Sequence, residues 1–164
     1  MKKTALACSL ALAVATVALA ADPGGPSTKT VPRYVAGVLD GRFTFAGPYE
    51  GPWTTTGDMT GTLRHLGLAR MHTTHTANAN GTIAGGQFVI VAANGDTILG
   101  SYTASADWVS DVQVLGTATL LIEAGTGRFA LARGSIAAAF LETLDDPTWA
   151  SAKVSWTLEG TVEY

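Results

Sequence analysis

Three observations predict an all-β domain that closes into an eight-stranded antiparallel up-and-down barrel. The C-terminal segment alternates, with Val154, Trp156, Leu158, Gly160 and Val162 on one face and Ser155, Thr157, Glu159, Thr161 and Glu163 on the other. That period of two marks a half-buried strand. Apolar runs are separated by short turn sequences, Asn80-Gly81, Asn94-Gly95-Asp96 and Gly125-Thr126-Gly127, rich in residues that tolerate the positive φ of tight strand reversals. No stretch carries a helical period. Closing the sheet removes exposed strand edges; a two-sheet sandwich is the rival arrangement.

The start of the chain predicts an address. Lys2 and Lys3 precede an apolar stretch from Thr4 to Val17, and Ala18-Leu19-Ala20 supplies small residues for a signal peptidase. Residues 1–20 therefore read as a signal peptide cleaved before Ala21, and the expected location is secreted or periplasmic. The apolar stretch is shorter than the roughly 20 residues of a spanning helix, an uncleaved anchor being the competing reading. Leu6-Ala7-Cys8 only loosely matches a lipobox, and a cut there would leave almost no apolar core before it. Cleavage removes Cys8, the single cysteine, and with it any disulfide, thiolate metal site or cysteine nucleophile. Of the 10 Lys and Arg, losing Lys2 and Lys3 leaves 8 against 13 acidic residues, a formal charge of −5. An acidic surface argues against nucleic acid or an anionic membrane as the main partner.

Residues 21–33 carry Pro23, Gly24, Gly25, Pro26, Ser27 and Pro32 with few apolar side chains, a flexible lead-in. The barrel domain is placed at 34–164. Tyr34 to Ala46 alternates in part, with Phe43 and Phe45 opposite Arg42 and Thr44. Gly47 to Trp53 holds two prolines and reads as a loop. Strands are expected at Met59–His65, Leu68–Thr76, Gly86–Ala93 and Thr97–Ala104, then at Asp111–Ile122, Phe129–Leu144 and Ala150–Tyr164. A helix over Leu63 to Met71 is opposed by Gly67 and the nearby threonines. The run Ala137-Ala138-Ala139 follows Gly134 and alternates with Ile136 and Phe140, which suits a strand whose small residues allow close packing. A barrel of this size is filled by side chains or holds one small ligand.

Catalytic motifs are scarce, and no catalytic residue is assigned. His72 and His75 lie three positions apart on one expected strand, so they point to opposite faces. With His65 they read as exposed residues rather than a metal site. Asp145-Asp146 before Pro147 suits a turn, as does Asp96 after Asn94-Gly95. No Gly-x-Ser-x-Gly elbow occurs, and Ser135 falls inside a strand. No phosphate-cradling loop precedes a helix, so no nucleotide cofactor, and no metal, is expected. Asn80-Gly81-Thr82 fits a glycosylation sequon, but a hairpin turn accounts for it better.

Gly125-Thr126-Gly127-Arg128-Phe129, followed by Ala132-Arg133-Gly134, resembles the strand-turn-strand signature of plant dirigent proteins and their relatives in the allene oxide cyclase barrel group. Bacterial secreted proteins of unknown role are similar across more of the chain, through His65-Leu66-Gly67 and Ala93-Asn94-Gly95-Asp96. The resemblance spans roughly Met59 to Phe140. It implies an eight-stranded, calycin-like barrel with an apolar lumen, often assembled as a trimer in the plant families. Arg133 matches the arginine of the dirigent motif, which in that family can line the pocket. The cyclases hold an epoxide beside a buried carboxylate, and no single Glu or Asp here matches that role.

Arg133 therefore has two readings. Pointing inward, it needs a carboxylate such as Glu123, Asp111 or Glu142 nearby, because a buried unpaired charge is very costly. Pointing outward, it belongs to the surface or to an oligomer contact. With Phe88, Tyr102, Phe140 and Trp156 it makes up the expected ligand-binding set. The leading functional expectation is a secreted, cofactor-free barrel that binds a small apolar molecule or self-associates. The alternative is a cyclase- or dirigent-type enzyme that holds a reactive molecule in one geometry beside one acid tuned by burial. A cavity lined by a buried carboxylate favours the enzyme; a lumen packed solid leaves only the interaction role.

Overall fold

Alternating residues become strands with one face turned into a common interior. In the computed structural model, which describes residues 30–48, 50–145 and 150–164, there are eight. They are β1 (Pro32–Ala46), β2 (Trp53–Leu63), β3 (Gly67–Ala77), β4 (Thr82–Val91), β5 (Thr97–Ser110), β6 (Gln113–Gly125), β7 (Arg133–Leu144) and β8 (Ser151–Glu163). Each pairs with its neighbour in sequence, and β8 returns antiparallel to β1, setting Leu39 opposite Trp156. The sheet is a closed barrel, not a sandwich. The expected signal peptide, most of the lead-in, and Asp146 and Pro147 lie outside the described residues.

Strand ends depart from expectation where local chemistry competes. β2 begins at Trp53 rather than Met59, because Thr54, Thr55 and Thr56 pair along β3 and β-branched residues suit a pleated surface. β1 already starts at Pro32, and Val31 exchanges backbone hydrogen bonds with Tyr164. Phe129 is not in a strand: Gly127–Phe129 forms a 3₁₀ turn, and β7 starts only at Arg133. There Gly127 takes a φ of 54°, and the Arg128 amide donates to Asp96 Oδ2 at 3.1 Å.

That turn seals one end of the barrel. Phe129 is fully buried beneath it, with its ring 4.6 Å from that of Tyr164. The Arg128 guanidinium lies 4.6 Å from the Phe129 ring centre and donates to the His65 carbonyl at 3.0 Å. The Ala93 amide donates to the Leu66 carbonyl at 3.1 Å. His65-Leu66-Gly67, Ala93 to Asp96 and Gly125 to Phe129 thus meet at the same end. The motifs that stand out in the sequence build a plug.

Above the plug the lumen is filled by aromatic rings laid on glycines of the adjoining strand. Phe43 pairs with Gly57, Tyr102 with Gly86 and Phe140 with Gly116. A Cβ at Gly116 would come within 2.1 Å of Phe140 Cζ and 2.5 Å of the Ser105 carbonyl oxygen. Gly116→Ala is therefore expected to cost about 1–3 kcal/mol by overpacking. Urea denaturation checks this, and an unchanged midpoint would contradict it.

Candidate functional site

The opposite end is built differently. β7 turns Ile136, Ala138, Phe140, Glu142 and Leu144 inward in succession, so an acid interrupts an apolar stripe near the mouth. β3 turns Ala69, Met71, Thr73 and His75 inward in the same way. His75 and Glu142 are 5% and 8% exposed. Both line a cavity of about 80 Å³ at this end, walled mainly by Phe45, Trp53, Ile83, Ala106, Trp108, Val114 and Leu144.

Burial sets the protonation states. Apolar surroundings push the Glu142 carboxyl up to about 7, since desolvation disfavours its charged form. Among the described residues no hydrogen bond or salt bridge holds it. Burial pushes the His75 imidazole down to about 4, leaving it neutral at pH 7. His75 Nδ1 lies 2.5 Å from the Tyr102 hydroxyl. Burial raises the Tyr102 phenol, Thr73 beside it pulls the other way, and the negative charge of Glu142 raises it further. Glu142 and Tyr102 are therefore within electrostatic reach of each other. A carboxyl that titrates near neutrality can both give and take a proton.

The expected ligand-binding residues separate in space. Phe88, Tyr102, Phe140 and Trp156 all face the interior and are buried. They pack beneath the cavity instead of walling it: the Trp156 ring stacks on Phe140 at 5.3 Å and meets Tyr102 edge-on at 5.7 Å. Arg133 is outside, at the sealed end, and donates from Nε to Glu163 Oε2 at 2.8 Å. The inward reading of Arg133 is corrected: the first inward side chain of β7 is Ile136, and the cross-strand partner is Glu163, not Glu123, Asp111 or Glu142.

His75 was expected at the surface and lies in the lumen. Its phase on β3 is that of Met71, and this was the available signal. His72 does face out, with Nδ1 at 2.9 Å from Asp58 Oδ1. Glu142 enters the sequence only as a possible partner for Arg133, although Phe140 and Leu144 share its phase. The histidines occupy three separate places, and among the described residues no group of three or more His, Cys, Asp or Glu could hold a metal ion. Ser135 is exposed. Asp145 accepts hydrogen bonds from Arg42 and Ser151 at the surface.

No family model matches the chain, and no curated protein matches it. Among solved structures, a pterocarpan synthase dirigent protein is similar, at 15% identity over 88% of this chain and 99% of that one, with a TM-score of 0.39. Nothing about the site rests on that likeness.

Proposed function

We propose that the chain binds a small, largely apolar molecule in the cavity opposite the sealed end of its barrel and acts on it by proton transfer through Glu142, without a cofactor. Its place of work is the secreted or periplasmic space to which residues 1–20 would direct it. One observation carries the reading: a buried carboxyl, with no salt bridge among the described residues and raised to about 7, lines an apolar cavity. In such surroundings a carboxylate is a stronger base than in water, and its protonated form survives at neutral pH as an acid. Ring opening, cyclisation or isomerisation of a reactive molecule needs little more than one such group and a fixed geometry. A pure binding role is the second reading. It is favoured by the packed lumen beneath, where aromatic rings fill the space below the cavity.

A generic probe separates the two. The ring of 5-nitrobenzisoxazole opens when a base removes its C3 proton, releasing a coloured phenolate. The protein is expected to accelerate this above buffer, with a rate that rises with pH through a midpoint near 7, as the basic form of Glu142 accumulates. Glu142→Gln should reduce the rate by about 10²-fold or more. Measurable binding of the probe with no acceleration would leave only the binding role.

A further inference from the structure

Resting on that reading of the cavity, we infer that the bound molecule carries an oxygen acceptor, which His75 recognises through its Nε2–H, with Tyr102 holding the imidazole in that tautomer. His75 Nδ1 and the Tyr102 hydroxyl lie 2.5 Å apart in a buried hydrogen bond. Either group could be the donor. If Nδ1–H donated, the phenol's own proton would need another acceptor. Thr73 Oγ1 stands close enough to pull the phenol down, but among the described residues it lies outside hydrogen-bond geometry. A buried donor left unmade costs about 1–3 kcal/mol. The phenol therefore donates to Nδ1, and a neutral imidazole then carries its proton on Nε2. Burial keeps both groups in these states, since it holds the imidazole neutral and the phenol protonated.

The Nε2–H is left for the cavity. His75 lines it, and Nε2 has no hydrogen-bond partner among the described residues. Nor is it one of the sealed, unpartnered polar side-chain atoms among the described residues, which are Thr55 Oγ1, Thr73 Oγ1 and Trp156 Nε1. The other polar side chains at the rim are already engaged. Asn78 Nδ2 donates to the Thr82 carbonyl at 3.2 Å and to Thr82 Oγ1 at 3.1 Å, and Thr82 Oγ1 donates to Asn80 Oδ1 at 2.7 Å. A neutral donor on β3 and an acid on β7 thus face one small apolar space. A ketone, ether or epoxide oxygen on a compact hydrocarbon body satisfies both. A hydrocarbon satisfies neither, and an organic cation would suit Glu142 but offer nothing to His75. Tyr102 acts through His75 and is a positioning residue.

Cyclohexanone and methylenecyclohexane share a ring and a size and differ in one oxygen, so together they test the inference. Titrations are followed by NMR on the ¹⁵N-labelled full chain at pH 6. Cyclohexanone is expected to bind about tenfold tighter or more, the worth of one good buried hydrogen bond. The imidazole ¹⁵N shifts of His75 should report a protonated Nε2 and a bare Nδ1. In Tyr102→Phe, with an otherwise native amide spectrum, those shifts should move toward a tautomer mixture and the preference for the ketone should shrink. Equal affinity for the two probes, or a proton on Nδ1 in the wild type, overturns the inference and leaves the cavity reading standing. Binding of neither probe overturns both.

Discussion

Wild-type stability is expected to stay level between pH 4.5 and 6.5, whereas Glu142→Gln and His75→Gln each expose a slope, in opposite directions. For Glu142 the carboxyl rises on folding from 4.5 to about 7. Its protonated form is favoured in the fold, so its contribution is greatest below pH 4.5 and is lost as pH climbs to about 7. For His75 the imidazole falls on folding from 6.5 to about 4. Its neutral form is favoured, so its contribution is greatest above pH 6.5 and is lost as pH drops to about 4. Each effect is worth about 3 kcal/mol over its full window. Between the two ordinary values the unfolded chain holds a proton on His75 and the folded chain holds one on Glu142. The proton counts match, so the slope vanishes.

Removing either group uncovers the other. Glu142→Gln should lose stability toward acid below pH 6.5, and His75→Gln should lose it toward alkali above pH 4.5. At the steepest each slope is about 1.4 kcal/mol per pH unit. Urea denaturation across this range reads both. Variants that keep the wild-type profile would show that neither group is held in the state its burial demands.

Trp156→Ala is expected to be the most damaging single truncation, at about 3–5 kcal/mol. The ring is 1% exposed and contacts Phe140 at 5.3 Å, Tyr102 at 5.7 Å and Phe43 at 6.4 Å. Its Nε1 has no hydrogen-bond partner among the described residues, so the expected loss is one of packing. Tyr102 in turn holds His75, so a cavity opened at Trp156 should also loosen the floor of the mouth. The urea midpoint and the His75 ¹⁵N shifts measure the two effects. A fall below about 1 kcal/mol would mean that the aromatic layer repacks around the gap.

Closure into a barrel was legible because turn sequences at Asn80-Gly81, Asn94-Gly95-Asp96 and Gly125-Thr126-Gly127 punctuate the apolar runs and β8 alternates without interruption. The beginning of β2 was not, because Pro48 and Pro52 mark a loop while the threonines after Trp53 belong to the sheet. The resemblance drew attention to Arg133, yet its motif residues serve the sealed end, where Arg128 joins the His65 carbonyl to the Phe129 ring. Glu142 was hidden for a physical reason. The outer face of β7 carries Ala137, Ala139 and Leu141, as apolar as the inner face with Ala138 and Phe140, so pattern alone does not say which way an acid on that strand points. Only closure of the ring settles it. The same ambiguity concealed His75, since Arg70, His72 and Thr74 on one face of β3 differ little in polarity from Thr73 and His75 on the other.

The proposed chemistry depends most on the state of one carboxyl. Labelling glutamate side-chain carboxyls with ¹³C, assigning Glu142 by its loss in Glu142→Gln, and titrating the folded protein measures it directly. The predicted midpoint is about 7; a midpoint at the ordinary 4.5 would mean that the acid is solvated or paired, and would contradict the proposed chemistry of the cavity.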